Sequence, residues 1–565
     1  MEIVQDKVKV FALGGLDEIG KNLYVVEVNE KIFVLDTGLK QPDEDMLGVD
    51  AVIPDFAYLV ENKSRIAGIF LTQGHDEHMG AIAQLLSVVN VPVYGTRLTM
   101  ALVEDAILDS ELDIKKCKLY KIRDENEMFF SGVKVSIFRT THSIPGTVGV
   151  AIHTTSGVIV YTSDFVFNHN AMGHYQTNYG KIAEIAKEGV LCLLSESVNA
   201  ASPGHTVTGD TLSYKLGEIF SRTDGRIICS LYSSDLHRIQ MVVDMTVKHN
   251  RKLAILGRKM QRLVDIAVKM GYLKIPKSVL MSLQFRNEKN PNNMSDLVVI
   301  TTGNRYEPFN ALGRMVKGHD RFVRIEKSDT IVVATPPILG VETKAASTLD
   351  MLYRTKANVV AIDKSLLPTS HASIEDLKMM MSLFKPSYIM PVNGEYRHLI
   401  AHAKVAQTKG YDLENVIILN NGEIALFDQG QFSISAESIE ASEVLVDGLG
   451  VGDVGTVVIR DRQMLSNDGV VVVVVNLDRK TKKVLSGPEI ISRGYVYDHS
   501  DKALFAEVKN IVLGILNEKI VGKSLSCSWQ DLRYEMREKI GKYLYGKTRH
   551  RPIVIPIIEE LQIQK

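Results

Sequence analysis

The sequence predicts an α/β protein built in several domains, and three observations carry that prediction. In the opening part of the chain, one short apolar strand after another ends in a residue that can ligate a metal or move a proton: Asp36, His75, His142, Asp164 and Glu196. From 205 to 365, helix-periodic and strand-like stretches alternate, the pattern of a doubly wound, largely parallel sheet. Beyond 450 a small α+β part is marked by the apolar run Val470 to Val475. A length of 565 residues suggests about three or four domains.

Val8 to Leu13 reads as a strand stopped by Gly14 and Gly15. Asn22 to Val28 and Lys31 to Asp36 alternate around Asn29-Glu30 and predict a hairpin. Ile66 to Thr72 is a buried strand, and Gly80 to Leu86 a helix packed back on it. Leu98 to Ile107 has helical spacing. Lys118 to Ile122, Val133 to Arg139, Val148 to His153, Val158 to Thr162 and Val190 to Leu194 are strands. In the middle part, helices are expected at Thr208 to Ser221, Asp235 to His249 and Arg258 to Met270. The strands between them are Arg226 to Leu231, Lys252 to Gly257, Val298 to Thr302, Thr330 to Ala334 and Asn358 to Ile362. Ser373 with Asp376 three residues on is a capping box. Tyr388 to Val392, Val416 to Leu419 and Glu423 to Phe427 read as strands that return to the style of the first part. A connector is expected over 431–450. Val454 to Asp461 reads as a strand. The valine run reads as a strand buried on both faces, since an edge so apolar would aggregate. Asp501 to Ile520 and Trp529 to Tyr545 are amphipathic helices, the second capped by Ser528, and Pro552 to Ile558 is a last strand.

Hydrophobic residues make up 45% of the chain and charged ones 24%, ordinary values for a globular protein. The net charge of −1 gives no global signal for nucleic acid, so an anionic ligand would need a local basic surface. The four cysteines, Cys117, Cys192, Cys229 and Cys527, lie far apart and read as reduced core residues, not as a disulfide framework or a zinc ribbon. No basic-then-apolar signal pattern opens the sequence, and no apolar run reaches about 18 residues. A cytoplasmic protein with no membrane span is expected.

The stretch Leu71-Thr72-Gln73-Gly74-His75-Asp76-Glu77-His78-Met79-Gly80 concentrates the chemistry. Imidazoles and carboxylates fanned around a strand-to-helix turn can converge on one point, as a metal site requires. A polar turn with Asp76 and Glu77 at a helix start would show the same residues. Ser233-Ser234-Asp235 precedes a predicted helix and fits an N-cap or an anion contact. Arg537 to Arg551 holds six Lys or Arg against one acid, with Tyr543 and Tyr545 interleaved; a solvated face and an RNA or partner contact both fit it.

Several ordered pieces resemble one family. They are Gly14 to Asn22, Leu71 to Gly80, Arg139-Thr140-Thr141-His142-Ser143-Ile144-Pro145, Tyr161-Thr162-Ser163-Asp164-Phe165, Pro391-Val392-Asn393-Gly394-Glu395-Tyr396-Arg397 and Ser486-Gly487-Pro488-Glu489-Ile490. By these the chain resembles ribonuclease J, a nuclease of the metallo-β-lactamase fold with an inserted β-CASP domain. The resemblance implies an αββα sandwich from 1–204 and 366–430, a doubly wound β-CASP insert over 205–365, a linker over 431–450 and an α+β assembly domain over 451–565. It implies two zinc ions and hydrolysis of RNA phosphodiesters, 5′ to 3′ from a 5′-monophosphate with some internal cleavage, in mRNA decay and rRNA maturation. Two metals suit that reaction by binding a hydroxide nucleophile and neutralising phosphate oxygens.

Carried over residue by residue, the resemblance makes His75, Glu77, His78, His142 and Asp164 the metal ligands. His75, Glu77, His78 and His371 become the catalytic set. The substrate contacts are Ser233, Ser234, Asp235, Leu367, Pro368, Thr369, Ser370 and His371. Asp36 and Glu196 match strand ends of the family but not its primary ligand motif, and read as supporting residues. The departures are specific. The family has histidine where this chain has Gln73, Leu367 and Asn393, and aspartate where it has Glu77. An amide is a far poorer zinc ligand than imidazole, and an added methylene displaces a carboxylate enough to spoil a tuned site. The pattern resembles the degenerate second paralogue that many Gram-positive bacteria carry beside an active ribonuclease J. It implies weak nuclease activity or, alternatively, a non-catalytic scaffold for an active paralogue. The implied partners are RNA and either that paralogue or a second copy of the chain.

Overall fold

The structure is a computed structural model that describes residues 6–43, 45–232, 234–281, 294–303, 307–335, 341–367, 369–448, 450–495, 502–522 and 524–562. Two compact units emerge. One comprises Met1–Gln41 with Ala51–Val444, the other Pro42–Asp50 with Leu445–Lys565.

In the first unit, period-two alternation sorts apolar side chains onto opposite faces of two large sheets. The eight-stranded sheet runs, edge to edge, Gln431–Ser438, Glu423–Asp428, Val8–Gly14, Leu23–Val28, Lys31–Leu35, Ile66–Leu71, Val93–Gly95 and Leu119–Lys121. The six-stranded sheet runs Tyr388–Val392, Val190–Glu196, Gly157–Tyr161, Val148–Thr154, Val133–Arg139 and Glu127–Phe130. Their inner faces meet in one core: Val10, Tyr24, Val26, Phe33 and Phe70 from the first sheet pack with Val135, Ile137, Ile152, Ile159 and Leu194 from the second. Each such side chain contributes about 1.5–3 kcal/mol on burial. Val158 and Val160, one residue out of phase with Ile159, face the other way. There they pack under Ile182, Ile185, Leu377, Met380 and Phe384 of helices Tyr179–Lys187 and Ile374–Phe384. The capping box of Ser373 and Asp376 starts the second of these helices, as the sequence predicts.

The insert is doubly wound. Its five strands are all parallel, in the order Lys252–Leu256, Leu297–Gly303, Ile227–Tyr232, Thr330–Val333 and Asn358–Ala361. The central strand shows why. Ile227, Cys229 and Leu231 point into a cluster with Leu216, Ile239, Val242 and Val264, while Ile228 points into a second with Phe309, Leu312 and Leu352. A strand apolar on both faces requires helices on both faces. Helices Glu307–Val316 and Glu342–Arg354 supply the second layer.

In the second unit, strand Val470–Asp478 lies between Val484–Arg493 and Ile553–Leu561. Helices Lys502–Lys519 and Trp529–Thr548 cover one face, packing Val508, Val512, Leu532, Met536 and Ile540 on Val471, Val473 and Val475. Ser528 caps the second helix by accepting from the Asp531 amide.

Several expectations need correction. The valine run is not buried on both faces: Val471, Val473 and Val475 are buried, whereas Val470, Val472 and Val474 are half-buried. Val454 to Asp461 is not a strand. Residues Thr456–Asp468 form a helix with no buried side chain, its half-buried side anchored by Arg462 donating to the Leu47 carbonyl at 3.0 Å. Tertiary contacts there override the β-branched run Val457, Val458 and Ile459. The stretch 431–450 is not a plain connector, because Gln431–Ser438 extends the eight-stranded sheet. Val416 to Leu419 forms only a single bridge, Val416 to Ile389. The helix expected from Gly80 begins at Ile82, after a separate turn Asp76–Met79. All four cysteines are free, but only Cys192 and Cys229 are core residues. Among the described residues no helix is long and apolar enough to cross a membrane.

Candidate metal and phosphate site

Strand ends of both large sheets and the start of the insert converge at one cleft. Asp36 ends strand Lys31–Leu35, and its loop lies directly against the 75–78 turn. Thr37 donates its amide to the His78 carbonyl at 2.8 Å, and Leu39 to that of Asp76 at 2.9 Å. Gly38 makes this approach possible, since a Cβ there would fall 1.7 Å from the Glu77 carbonyl oxygen.

His78 is fully buried between two carboxylates. Its Nδ1 lies 2.7 Å from Asp36 Oδ2 and its Nε2 2.8 Å from Asp164 Oδ2. Burial alone would lower its pKa, but Asp164 and Asp36 together outweigh burial and hold it well above the ordinary value. Both nitrogens face acceptors, so the ring is an imidazolium donating to each. Asp36 is satisfied further by the Thr72 amide at 2.7 Å, the Thr72 hydroxyl and the Tyr161 hydroxyl at 2.9 Å.

Asp164 is the hub. Its Oδ2 also accepts from Gln73 Nε2 at 2.9 Å, and its Oδ1 accepts from Asn393 Nδ2 at 2.7 Å. Burial would raise its pKa, yet the His78 charge and its hydrogen bonds hold it well below the carboxylate range. His142 lies beside this hub, its Nε2 4.0 Å from Asp164 Oδ2, and neither of its ring nitrogens has a hydrogen-bond partner among the described residues. Burial, then the neighbouring His75, depress its pKa well below normal. His75 lies against His142, ring centres 4.8 Å apart and planes tilted by 53°, and its Nε2 is 3.2 Å from the Ser143 hydroxyl. Burial pushes the His75 imidazole down to about 4. Glu77 is half-buried, and burial followed by Asp164 raises its pKa.

A second pair stands across the cleft. His371 Nδ1 lies 2.6 Å from Glu196 Oε2, while Glu196 Oε1 accepts from the amides of Phe165 at 2.7 Å and Ala372 at 3.1 Å. Burial pushes Glu196 up to about 7. His371 is raised to about 9 because Glu196 and Asp164 outweigh burial. Glu196 and Asp36 thus orient His371 and His78. Sequence reasoning ranked both acids as secondary; their place at strand ends was the available signal. Tyr161 was missed, although alternation puts it on the inner face.

The structure brings His75, Glu77, His78, His142, Asp164 and His371 into one neighbourhood, with Gln73 and Asn393 among them. Of the substrate positions, Ser370 and Asp235 line a cleft together with His142 and Ser143. Asp235 is an N-cap: its Oδ1 accepts from the Arg238 amide at 2.9 Å and its Oδ2 pairs with the Arg238 guanidinium at 3.0 Å. Ser234 is half-buried and Thr369 exposed. Leu367 is buried in the apolar core of the insert, where it cannot reach a phosphate. Ser233 and Pro368 lie outside the described residues.

Among the described residues, Asp164, Glu196 and His371 place ligand atoms within 4.8 Å of one another, close enough to hold a metal ion. A dinuclear centre does not fit. The side chains at 73 and 393 turn amide N–H groups, which have no lone pair to give, toward Asp164, and the two nitrogens of His78 are both engaged by carboxylates.

Family models match along the chain: the metallo-beta-lactamase superfamily at residues 16–205, the ribonuclease J beta-CASP domain at 224–352, the Zn-dependent metallo-hydrolase RNA specificity domain at 365–419 and the ribonuclease J C-terminal domain at 457–561. Ribonuclease J 2 of Staphylococcus epidermidis is 39% identical over 564 residues, covering 99% of this chain and 100% of the relative. Ribonuclease J 2 of Staphylococcus aureus is 38% identical with the same coverage. A solved structure of a protein of unknown function from Enterococcus faecalis shares the fold, with a TM-score of 0.52 and 15% identity over 74% of this chain and 100% of that one. Full-length identity at this level, with each part of the fold matched by its own model, shows that the chain belongs to the ribonuclease J family.

Proposed function

We propose that this chain is a ribonuclease J-type RNA phosphodiester hydrolase of low turnover, working 5′ to 3′ with some internal cleavage, in cytoplasmic mRNA decay and rRNA maturation. The observation that carries this reading is the gathering of His75, His78, His142, Asp164 and His371 into one cluster, with His142 on the wall of the adjoining cleft. Within it, His371 is the cation placed to meet a phosphate: Glu196 orients it and keeps it protonated at neutral pH. Asp235 works against phosphate binding, since it puts a carboxylate on the cleft wall. His78 and Asp164, metal ligands in the family, are engaged with each other here, which is the physical reason for a low turnover.

A second reading, that of a non-catalytic subunit of an active paralogue, is favoured by a specific observation: amides occupy the two lost histidine positions and bind Asp164. It draws support from the second unit, proposed as the assembly part. There Ile491, Val472 and Ile555 form one row across three strands, Ile491 and Ile555 being exposed. One experiment separates the readings. The purified chain is assayed on a 5′-monophosphorylated RNA, then again after Gln73→His, Glu77→Asp, Leu367→His and Asn393→His are combined. Robust decay by the unmodified chain sinks the subunit reading. Decay absent before restoration and gained after it sinks the hydrolase reading for the natural chain.

A further inference from the structure

The residues at 73 and 393 do more than fail to bind metal. We infer that Gln73 and Asn393 take over from the metal pair as hydrogen-bond partners of Asp164, beside the His78 imidazolium that balances its charge, so that the core of this site needs no bound metal. A buried carboxylate without partners is too costly to persist. Asp164 is 1% exposed, and each of its oxygens has an amide donor, Asn393 Nδ2 on Oδ1 and Gln73 Nε2 on Oδ2.

Chemistry dictates the orientation of both amides. Gln73 Nε2 faces Asp164 and, at 3.3 Å, the Ser163 hydroxyl; turned over, its carbonyl oxygen would abut a carboxylate. Asn393 has donors and acceptors matched at both ends: Nδ2 gives to Asp164, and Oδ1 accepts from the Gly20 amide at 3.5 Å. Its backbone sits at φ 46°, a left-handed conformation that asparagine tolerates better than most residues. The Asn393 amide nitrogen itself donates to the Gly15 carbonyl at 2.9 Å. The amide is therefore wired into the loop that carries Gly14 to Asn22. Hydrogen bonds to a charged acceptor are the stronger kind, and here they join the 71–80 turn, the 161–165 strand end and the 391–397 turn.

The inference concerns how the site is held together and stands whether or not the chain hydrolyses RNA. Its test reads metal content and melting, not activity. The full chain is purified in zinc-containing buffer and desalted, its zinc is measured by atomic emission, and its Tm is recorded with added zinc and with a chelator. The expected result is zinc far below one ion per chain and a Tm that neither addition moves. Stoichiometric zinc together with a Tm that falls on chelation overturns the inference. In a second arm, Gln73→Glu and Asn393→Asp exchange each donor for an acceptor at nearly constant shape. Each is expected to lower the Tm in chelator and to regain it with zinc, as a new ligand faces Asp164. A Tm equal to that of the unsubstituted chain in chelator overturns the role given to the amides. Should these variants fail to fold, the metal content and Tm of the natural chain decide alone.

Discussion

Acidification should weaken this fold through His402, and the effect can be isolated. His402 lies on helix Tyr396–Thr408, fully buried, with Nδ1 3.1 Å from the hydroxyl of Ser197. Burial pushes its pKa down to about 4. A depressed histidine means that the unfolded chain binds the proton more tightly than the folded one. The stabilisation from the neutral ring is therefore complete above the unfolded value of about 6.5 and is lost as the pH falls toward about 4. Between pH 7 and pH 5 the loss from this one group comes to about 1.8 kcal/mol. The assay is urea unfolding of the natural chain and of His402→Asn across that range. The substitution leaves Ser197 a polar neighbour and removes the titration, so the stability gap between the two proteins should shrink in acid by about the same 1.8 kcal/mol. Parallel stability curves from pH 7 to pH 5 would refute the reasoning and show that His402 remains accessible to protons in the folded state.

Three further outcomes are expected. Arg226 holds Asp329 through two hydrogen bonds of 3.0 and 2.7 Å, both side chains 2% exposed. Arg226→Leu strands a buried carboxylate and should cost about 3–5 kcal/mol, measured by denaturant unfolding. Asp235→Ala removes a cap and should cost about 1 kcal/mol of stability, yet it should tighten RNA binding in a filter assay, because a carboxylate leaves the cleft wall. The cationic His371, raised to about 9, should make RNA affinity fall as the pH climbs through that value; Glu196→Gln should move the fall to lower pH, read by fluorescence anisotropy between pH 6 and 10.

Much of this was legible because ligand-type residues stand at the ends of apolar runs, where chain direction alone places them at one edge of a sheet. Asp36, His75, His142, Asp164 and Glu196 all follow that rule. What each does depends on neighbours distant in sequence. That Gln73 and Asn393 had lost a histidine was visible; that both amides would meet on Asp164 was not, since 73, 164 and 393 come together only through the packed sheets. Leu367 was visible as a lost phosphate contact but not as a core residue, because the insert's apolar cluster is assembled from several helices. The helix Thr456–Asp468 was misread for a related reason: a β-branched run promises a strand only if a sheet awaits it, and there Arg462 and the 42–50 segment anchor a helix instead. Grouping 42–50 with the C-terminal unit had no local signal at all.

The eight-stranded sheet also sets a timetable for the growing chain. Val8 to Phe11 pairs with Ile424 to Phe427, so the first strand waits for a partner made some 400 residues later, about 20–80 s at ordinary rates of synthesis. Until then Val10, Ala12 and Tyr24 line a sheet still missing Glu423–Asp428 and Gln431–Ser438 at one side. The insert, whose described strands pair with one another in one sheet, can close meanwhile. A ribosome-bound chain halted just before residue 423 should therefore carry a finished insert beside an adhesive, incomplete sandwich, and chaperones should bind it there.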